Sequence, residues 1–137
     1  MTLSMKDLVK DFLKQRRFAV VGSFRNKEKF AYRILIDLKK KGYEVFPVNP
    51  RLGEVEGRVC YKTISDIPYS VDVANIVTPP QVTESILKEC LQKGIKMAWL
   101  QPGAESQDTI KFCHDNDIKV IHGMCVMLES LKEEENL

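Results

Sequence analysis

Little in this 137-residue chain points to a metal cluster or to secretion. It has two histidines, His114 and His122, and four widely spaced cysteines, Cys60, Cys90, Cys113 and Cys125, with no C-x-x-C pair. So sparse a ligand set argues against a zinc cluster. The N-terminal stretch from Met1 to Lys14 alternates charged and apolar residues and lacks the apolar run of a secretion leader, so reduced thiols in a cytoplasm are expected. No apolar run approaches the roughly 18 residues that cross a bilayer. An excess of charge is missing too: 21 basic and 19 acidic residues leave +2, which does not indicate a nucleic-acid binder. Also absent are both phosphate-binding glycine patterns, since Gly22 is followed by Ser23, Phe24, Arg25, Asn26 and Lys27 rather than by further glycines or a Walker ending.

What is present is an order of apolar runs and amphipathic stretches. Phe18 to Val21 reads as a strand, Gly22 to Lys27 as a loop, and a helix then runs from about Glu28 to Lys41 with Phe30, Ile34, Leu35 and Leu38 on one face. Tyr43 to Val48 is a second strand, stopped by Asn49-Pro50. Between Arg51 and Tyr69 the pattern weakens, with Val59-Cys60-Tyr61 briefly strand-like and Thr63 to Ile67 fit for one helical turn. Val71 to Val77, Ile95 to Leu100 and Ile118 to Ile121 are the remaining strands. Helices ending at Gly94 and near Asn116 separate them, and an amphipathic segment from Met124 follows the last. Ser4 opens a lead-in helix within residues 1–17, and the tail over 132–137 is expected to fray. Strands alternating with helices predict an α/β protein, a single Rossmann-like doubly wound domain with a mainly parallel sheet of about five strands.

In such a sheet ligands lie beyond the carboxyl ends of the strands. Those positions are Gly22-Ser23, Asn49-Pro50-Arg51, Thr78-Pro79-Pro80, Gln101-Pro102-Gly103 and His122-Gly123, residues that suit a groove and equally suit plain turns. Gly22 would let the chain turn sharply and a ligand approach the backbone, and the helix start beyond it would favour an anion. After the second strand a dinucleotide site usually has Asp or Glu, which accepts from the ribose hydroxyls; Asn49 and Arg51 stand here instead. NAD is thereby disfavoured. Arg51, Arg25 and Lys27 could meet a phosphorylated ribose, that of NADP or of coenzyme A, or remain solvated surface charges.

The chain resembles the small stand-alone CoA-binding domain proteins, similar to the CoA-binding domain of succinyl-CoA synthetase alpha subunits. The resemblance runs from Phe18 to Glu129. It rests on the glycine-serine turn, Gly42-Tyr43-Glu44-Val45 leading into Pro47-Val48-Asn49-Pro50, Gly57, the Asp72 strand ending at Pro79-Pro80, Trp99-Leu100-Gln101-Pro102-Gly103, and Cys125. The family often has a small residue between that glycine and serine, and this chain has none. The resemblance implies coenzyme A or an acyl-CoA across the strand ends, with Gly22, Ser23 and Phe24 near its phosphates; Arg25 and Lys27 join the candidate binding residues through the phosphorylated-ribose reading above. Asn49 and Arg51 would lie near the adenosine end, and Thr78, Pro79 and Pro80 would line the groove; Pro50, Gln101 and Gly103 complete the candidate binding residues as strand-end positions. Binding without catalysis is the expectation, and an NADP-dependent enzyme or redox-sensing domain is the alternative. A homo-oligomer or a partner subunit supplying the chemistry stays open. His122 is read as a loop or groove histidine and Trp99 as core. Cys125 is either a buried inert thiol or one facing a pantetheine end.

Overall fold

The computed structural model describes residues 4–135; positions 1–3 of the expected lead-in helix and 136–137 of the expected tail lie outside the described residues. In chain order the elements are α1 (Met5–Leu13), β1 (Arg17–Val21), α2 (Phe30–Lys40), β2 (Glu44–Val48), β3 (Glu54–Val55), β4 (Arg58–Val59), a 3-10 turn (Ile64–Asp66), β5 (Val73–Ile76), α3 (Pro80–Lys93), β6 (Met97–Leu100), α4 (Gln107–Asp115), β7 (Lys119–His122) and α5 (Val126–Glu135). Five strands form one parallel sheet in the order β2-β1-β5-β6-β7. This is the doubly wound order in which the chain reverses direction across the sheet between β1 and β5, and a crevice opens there.

Both faces are covered, which is why the strands are almost wholly apolar rather than alternating. Phe18, Val20, Val73, Trp99 and Ile121 share one cluster with Val9 and Phe12 of α1, Ile34, Leu35 and Leu38 of α2, and Val126 of α5. On the other face Ala19, Ala74 and Ala98 sit side by side in register, and Ile86, Leu87 and Cys90 of α3 with Cys113 of α4 complete that cluster. Trp99 is core, as expected: it is fully buried, its indole N–H donates to the Met124 carbonyl at 3.0 Å, and its ring meets Phe12 edge-on. Pro47 sits in β2 without harm. Its carbonyl accepts from Tyr61 N on the outer side, so its missing N–H also falls outside the ladder to β1.

Several boundaries move. Helix α2 starts at Phe30 rather than Glu28, because Asn26 forms a turn in which its side-chain oxygen accepts from Glu28 N at 2.9 Å. The weakly patterned stretch holds a small hairpin, β3–β4, turned at Glu56 (φ 52°) and Gly57 (φ 72°). Two consecutive positive φ values are the geometry of a type I′ turn. The strand-like Tyr61 forms a parallel bridge to Val48, and the expected helical turn is the 3-10 segment, with Thr63 as its N-cap. Asp72 stands just outside β5, where its carboxylate accepts from the backbone N–H of Arg16 and Arg17 and ties the start of β1 in place. The segment expected to fray is helical through Glu135.

Candidate functional site

Beyond the carboxyl ends of β2, β1 and β5 lies a cleft of about 400 Å³. Val21 and Gly22 end one strand here, Val48 and Asn49 the second, and Val77 and Thr78 the third; Lys62, Thr63 and Ile64 close one side and Val82, Ser85, Ile86 and Glu89 of α3 the other. Of the thirteen residues expected at a site, the structure brings six to this one wall: Gly22, Ser23, Asn49, Pro50, Thr78 and Pro79.

Each of these is held by its neighbours. Gly22 N donates to the Val48 carbonyl at 3.3 Å, and the Asn49 side-chain amide donates back to the Gly22 carbonyl at 2.7 Å. The Asn49 side-chain oxygen accepts from Arg51 N at 2.8 Å, so both ends of this amide serve the backbone. Asn49 thus pins the loop after β2 to the loop after β1. Gly22 does not have positive φ. A Cβ there would lie 2.6 Å from Ala31 Cβ and 2.9 Å from the Val77 carbonyl oxygen, so the missing side chain lets α2 and β5 close on the end of β1, and does not by itself make room for a ligand.

Thr78 faces the cleft with its hydroxyl 2.8 Å from that of the fully buried Thr83, whose own oxygen is 3.1 Å from the Pro79 carbonyl. Either hydroxyl can donate to the other: when Thr83 donates to Pro79, Thr78 donates to Thr83 and can accept from a ligand, and when Thr83 donates to Thr78, the Thr78 proton is free for an acceptor. Helix α3 begins with Pro80 after Pro79, and neither has an N–H, so this helix start is poor in donors. Helix α2 begins well past Ser23, and none of its residues lines the cleft. Among the loop residues after β1, only Gly22 and Ser23 do so.

The other expected residues stand elsewhere. Phe24 is buried in the core on the α2 side. Arg25 and Arg51 are exposed and off the cleft wall, and Lys27 borders a separate hollow with Tyr32, Arg33, Lys40 and Glu56. The hairpin tip is fixed there by Glu56 accepting from the Tyr32 hydroxyl. Pro80 is the first residue of α3. Gln101 is fully buried, its amide N–H donating to Asn75 at 2.7 Å while its oxygen accepts from Val126 N at 3.2 Å. Gly103 N donates to Glu105 in a solvent-facing turn. His122 and Cys125 are half-buried near the last strand end, outside the cleft. Burial pushes the Cys90 thiol up to about 12 and the Cys113 thiol to about 11, which leaves both as inert core groups. Lys62, Thr63, Ser85 and Glu89 were not anticipated; the alternation of Ser85 and Glu89 with buried Ile86 and Cys90 was the available signal for a helix face turned to the cleft.

A larger hollow, about 610 Å³, lies among Lys10, Lys14, Lys41, Tyr43, Ser130, Glu133 and Glu134. Leu13 and Tyr43 precede β1 and β2, so it opens at the amino ends of the strands, the edge that does not bind ligands in this architecture. Its Lys41 ammonium is already held by Asp37, Ser130 and the Met127 carbonyl. Among the described residues no helix is long and apolar enough to cross a membrane, and no group of three His, Cys, Asp or Glu could hold a metal ion.

Sheet order and cleft define a Rossmann-like α/β domain with its candidate site at the strand carboxyl ends. The chain belongs to the CoA binding domain family, whose model matches residues 16–130. It is similar to the alpha subunit of ADP-forming acetate–CoA ligase II of Pyrococcus furiosus, 31% identical over 84% of this chain and 28% of that subunit. The chain spans less than a third of the curated acetate–CoA ligases it matches. Among solved structures, a conserved hypothetical protein of P. furiosus superposes with TM-score 0.80 at 41% identity, covering 84% of this chain and 99% of that one. A dinucleotide-forming acetyl-coenzyme A synthetase of Ca. Korarchaeum cryptofilum, solved with phosphate and ADP, gives TM-score 0.73 at 29% identity over 85% of this chain and 27% of that one.

Proposed function

We propose that the chain binds coenzyme A or an acyl-CoA in the cleft at the ends of β2, β1 and β5. The observation that carries this reading is the convergence of Gly22, Ser23, Asn49, Pro50, Thr78 and Pro79 on one wall inside the matched family region. Small-molecule sites run from roughly 300 to 1,000 Å³, so a ligand as long as coenzyme A extends past the 400 Å³ cleft over the neighbouring strand ends. An apolar floor of Val21, Val48, Val77 and Ile86 suits a flat base, and the Thr78 hydroxyl beside it suits a polar group of the ligand. Asn49, where NAD sites place a carboxylate, favours coenzyme A over NAD.

Binding is the whole activity of this reading. The one carboxylate on the cleft wall, Glu89, already accepts from the Ile64 N–H at 2.9 Å, and the Thr78 hydroxyl is hydrogen-bonded to that of Thr83. Any acyl transfer would come from a partner subunit, which co-purification would reveal. Thermal unfolding tests the ligand, because whatever binds only the folded state raises stability by RT ln(1 + [L]/Kd). Coenzyme A is expected to raise the midpoint more than NAD or NADP across a concentration series; equal or larger shifts with either dinucleotide would refute the assignment.

A further inference from the structure

We infer that Lys62 is the residue that recognises the ribose phosphate of the ligand and so separates coenzyme A from its 3′-dephospho form. The inference rests on the coenzyme A reading above. Two ionisable side chains line the cleft, Lys62 and Glu89. Glu89 is tied to Ile64 N, whereas the ion pairs found among the described residues leave Lys62 out. Lys62 is therefore the formal positive charge on the cleft wall, a role that Arg25, Lys27 and Arg51 do not fill.

Its backbone is fixed on both sides. Tyr61 before it donates to the Pro47 carbonyl at 3.0 Å and accepts from Asn49 N at 2.9 Å, in a parallel bridge to Val48. Thr63 after it caps the 3-10 turn, its hydroxyl accepting from Asp66 N at 3.2 Å. Lys62 thus stands beside the last residue of β2. In doubly wound nucleotide sites the ribose lies at the end of that strand, where an acidic residue reads free hydroxyls and a basic residue accommodates a phosphate. Here the acidic residue is replaced by Asn49, whose amide is spent on Gly22 and Arg51, and the cation comes from the neighbouring segment that pairs with the end of β2. A flexible ammonium suits this task as a point charge, and its exposure to solvent keeps the attraction modest and salt-sensitive.

The test is calorimetric titration of coenzyme A and dephospho-coenzyme A into the parent, Lys62→Ala, Lys62→Glu and Arg51→Ala proteins at low and high salt. Urea midpoints serve as the fold control. The parent should prefer coenzyme A by about 3- to 10-fold at low salt, the range between an exposed ion pair and a charged hydrogen bond. Lys62→Ala should abolish that preference by weakening coenzyme A alone, Lys62→Glu should invert it, and Arg51→Ala should keep it. Equal weakening of both ligands by Lys62→Ala would place Lys62 elsewhere on the ligand, and no change in either would remove it from the site; both results overturn the inference. A parent protein that binds neither ligand refutes the coenzyme A reading itself, and shows this before any substitution is made.

Discussion

Replacing Gly22 by alanine isolates the packing role of the glycine after β1. The new Cβ would sit 2.6 Å from Ala31 Cβ, 2.9 Å from the Val77 oxygen and 3.2 Å from Val77 Cβ. Two of these contacts involve rigid parts, a helix methyl and a strand carbonyl, so relief requires α2 or β5 to move. Overpacking of this kind costs about 1–3 kcal/mol, against which the stiffer unfolded chain returns about 0.4–1 kcal/mol. The net loss should be about 1–2 kcal/mol, or roughly 3–10 °C for a domain of this size. Gly53→Ala is the control: nothing lies within 4 Å of its Cβ and its φ is not positive, so its stability should match the parent within about 0.5 kcal/mol. The assay is urea unfolding without ligand, with the m-value held as a check. In an Ala31→Gly background the Gly22→Ala cost should shrink by about 0.5 kcal/mol or more, only in part because the Val77 oxygen remains. A Gly22→Ala protein as stable as the parent, or a cost unchanged by Ala31→Gly, would refute the packing argument.

Gln101→Leu keeps volume but strands Asn75 and the Val126 N–H in the core, so urea unfolding should show a loss of about 2–4 kcal/mol with little change in coenzyme A affinity. Asn49→Asp removes the donor to the Gly22 carbonyl and sets a carboxylate against it; calorimetry should show weaker coenzyme A binding, and unfolding a loss of about 1–3 kcal/mol. Cys90 is pushed up from 9.0 to about 12, so above pH 9 the unfolded chain loses a proton that the folded chain keeps. Stability should therefore fall as pH rises from about 9 towards 12, and Cys90→Val should flatten part of that slope in pH-dependent unfolding.

The sheet was readable because Phe18–Val21, Val73–Ile76 and Ala98–Leu100 are buried on both faces, which forces apolar runs that local pattern reveals. The β3–β4 hairpin was not, since its two-residue strands contain Glu54 and Arg58 and its turn uses Glu56 at positive φ. Strand ends identify the edge of the sheet where the cleft opens. They could not tell which side chains face it: Gln101 follows β6 with its amide turned into the core, and Phe24 anchors its loop in the α2-side cluster. Lys62 escaped notice because its place depends on Tyr61 returning to pair with Val48, a contact between residues 13 positions apart. At Gly22 the pattern could not reveal the packing role, since the close approach of Ala31 and Val77 is a tertiary contact.

Backbone amide NMR during titration with coenzyme A tests the central claim most directly, because it reports both whether the ligand binds and where. Saturable shifts should cluster at Ser23, Asn49, Lys62, Thr78 and Val82, with Lys10, Lys14 and Tyr43 at the opposite edge of the sheet unmoved. Shifts confined to that opposite edge, or a response to NAD and none to coenzyme A, would contradict it.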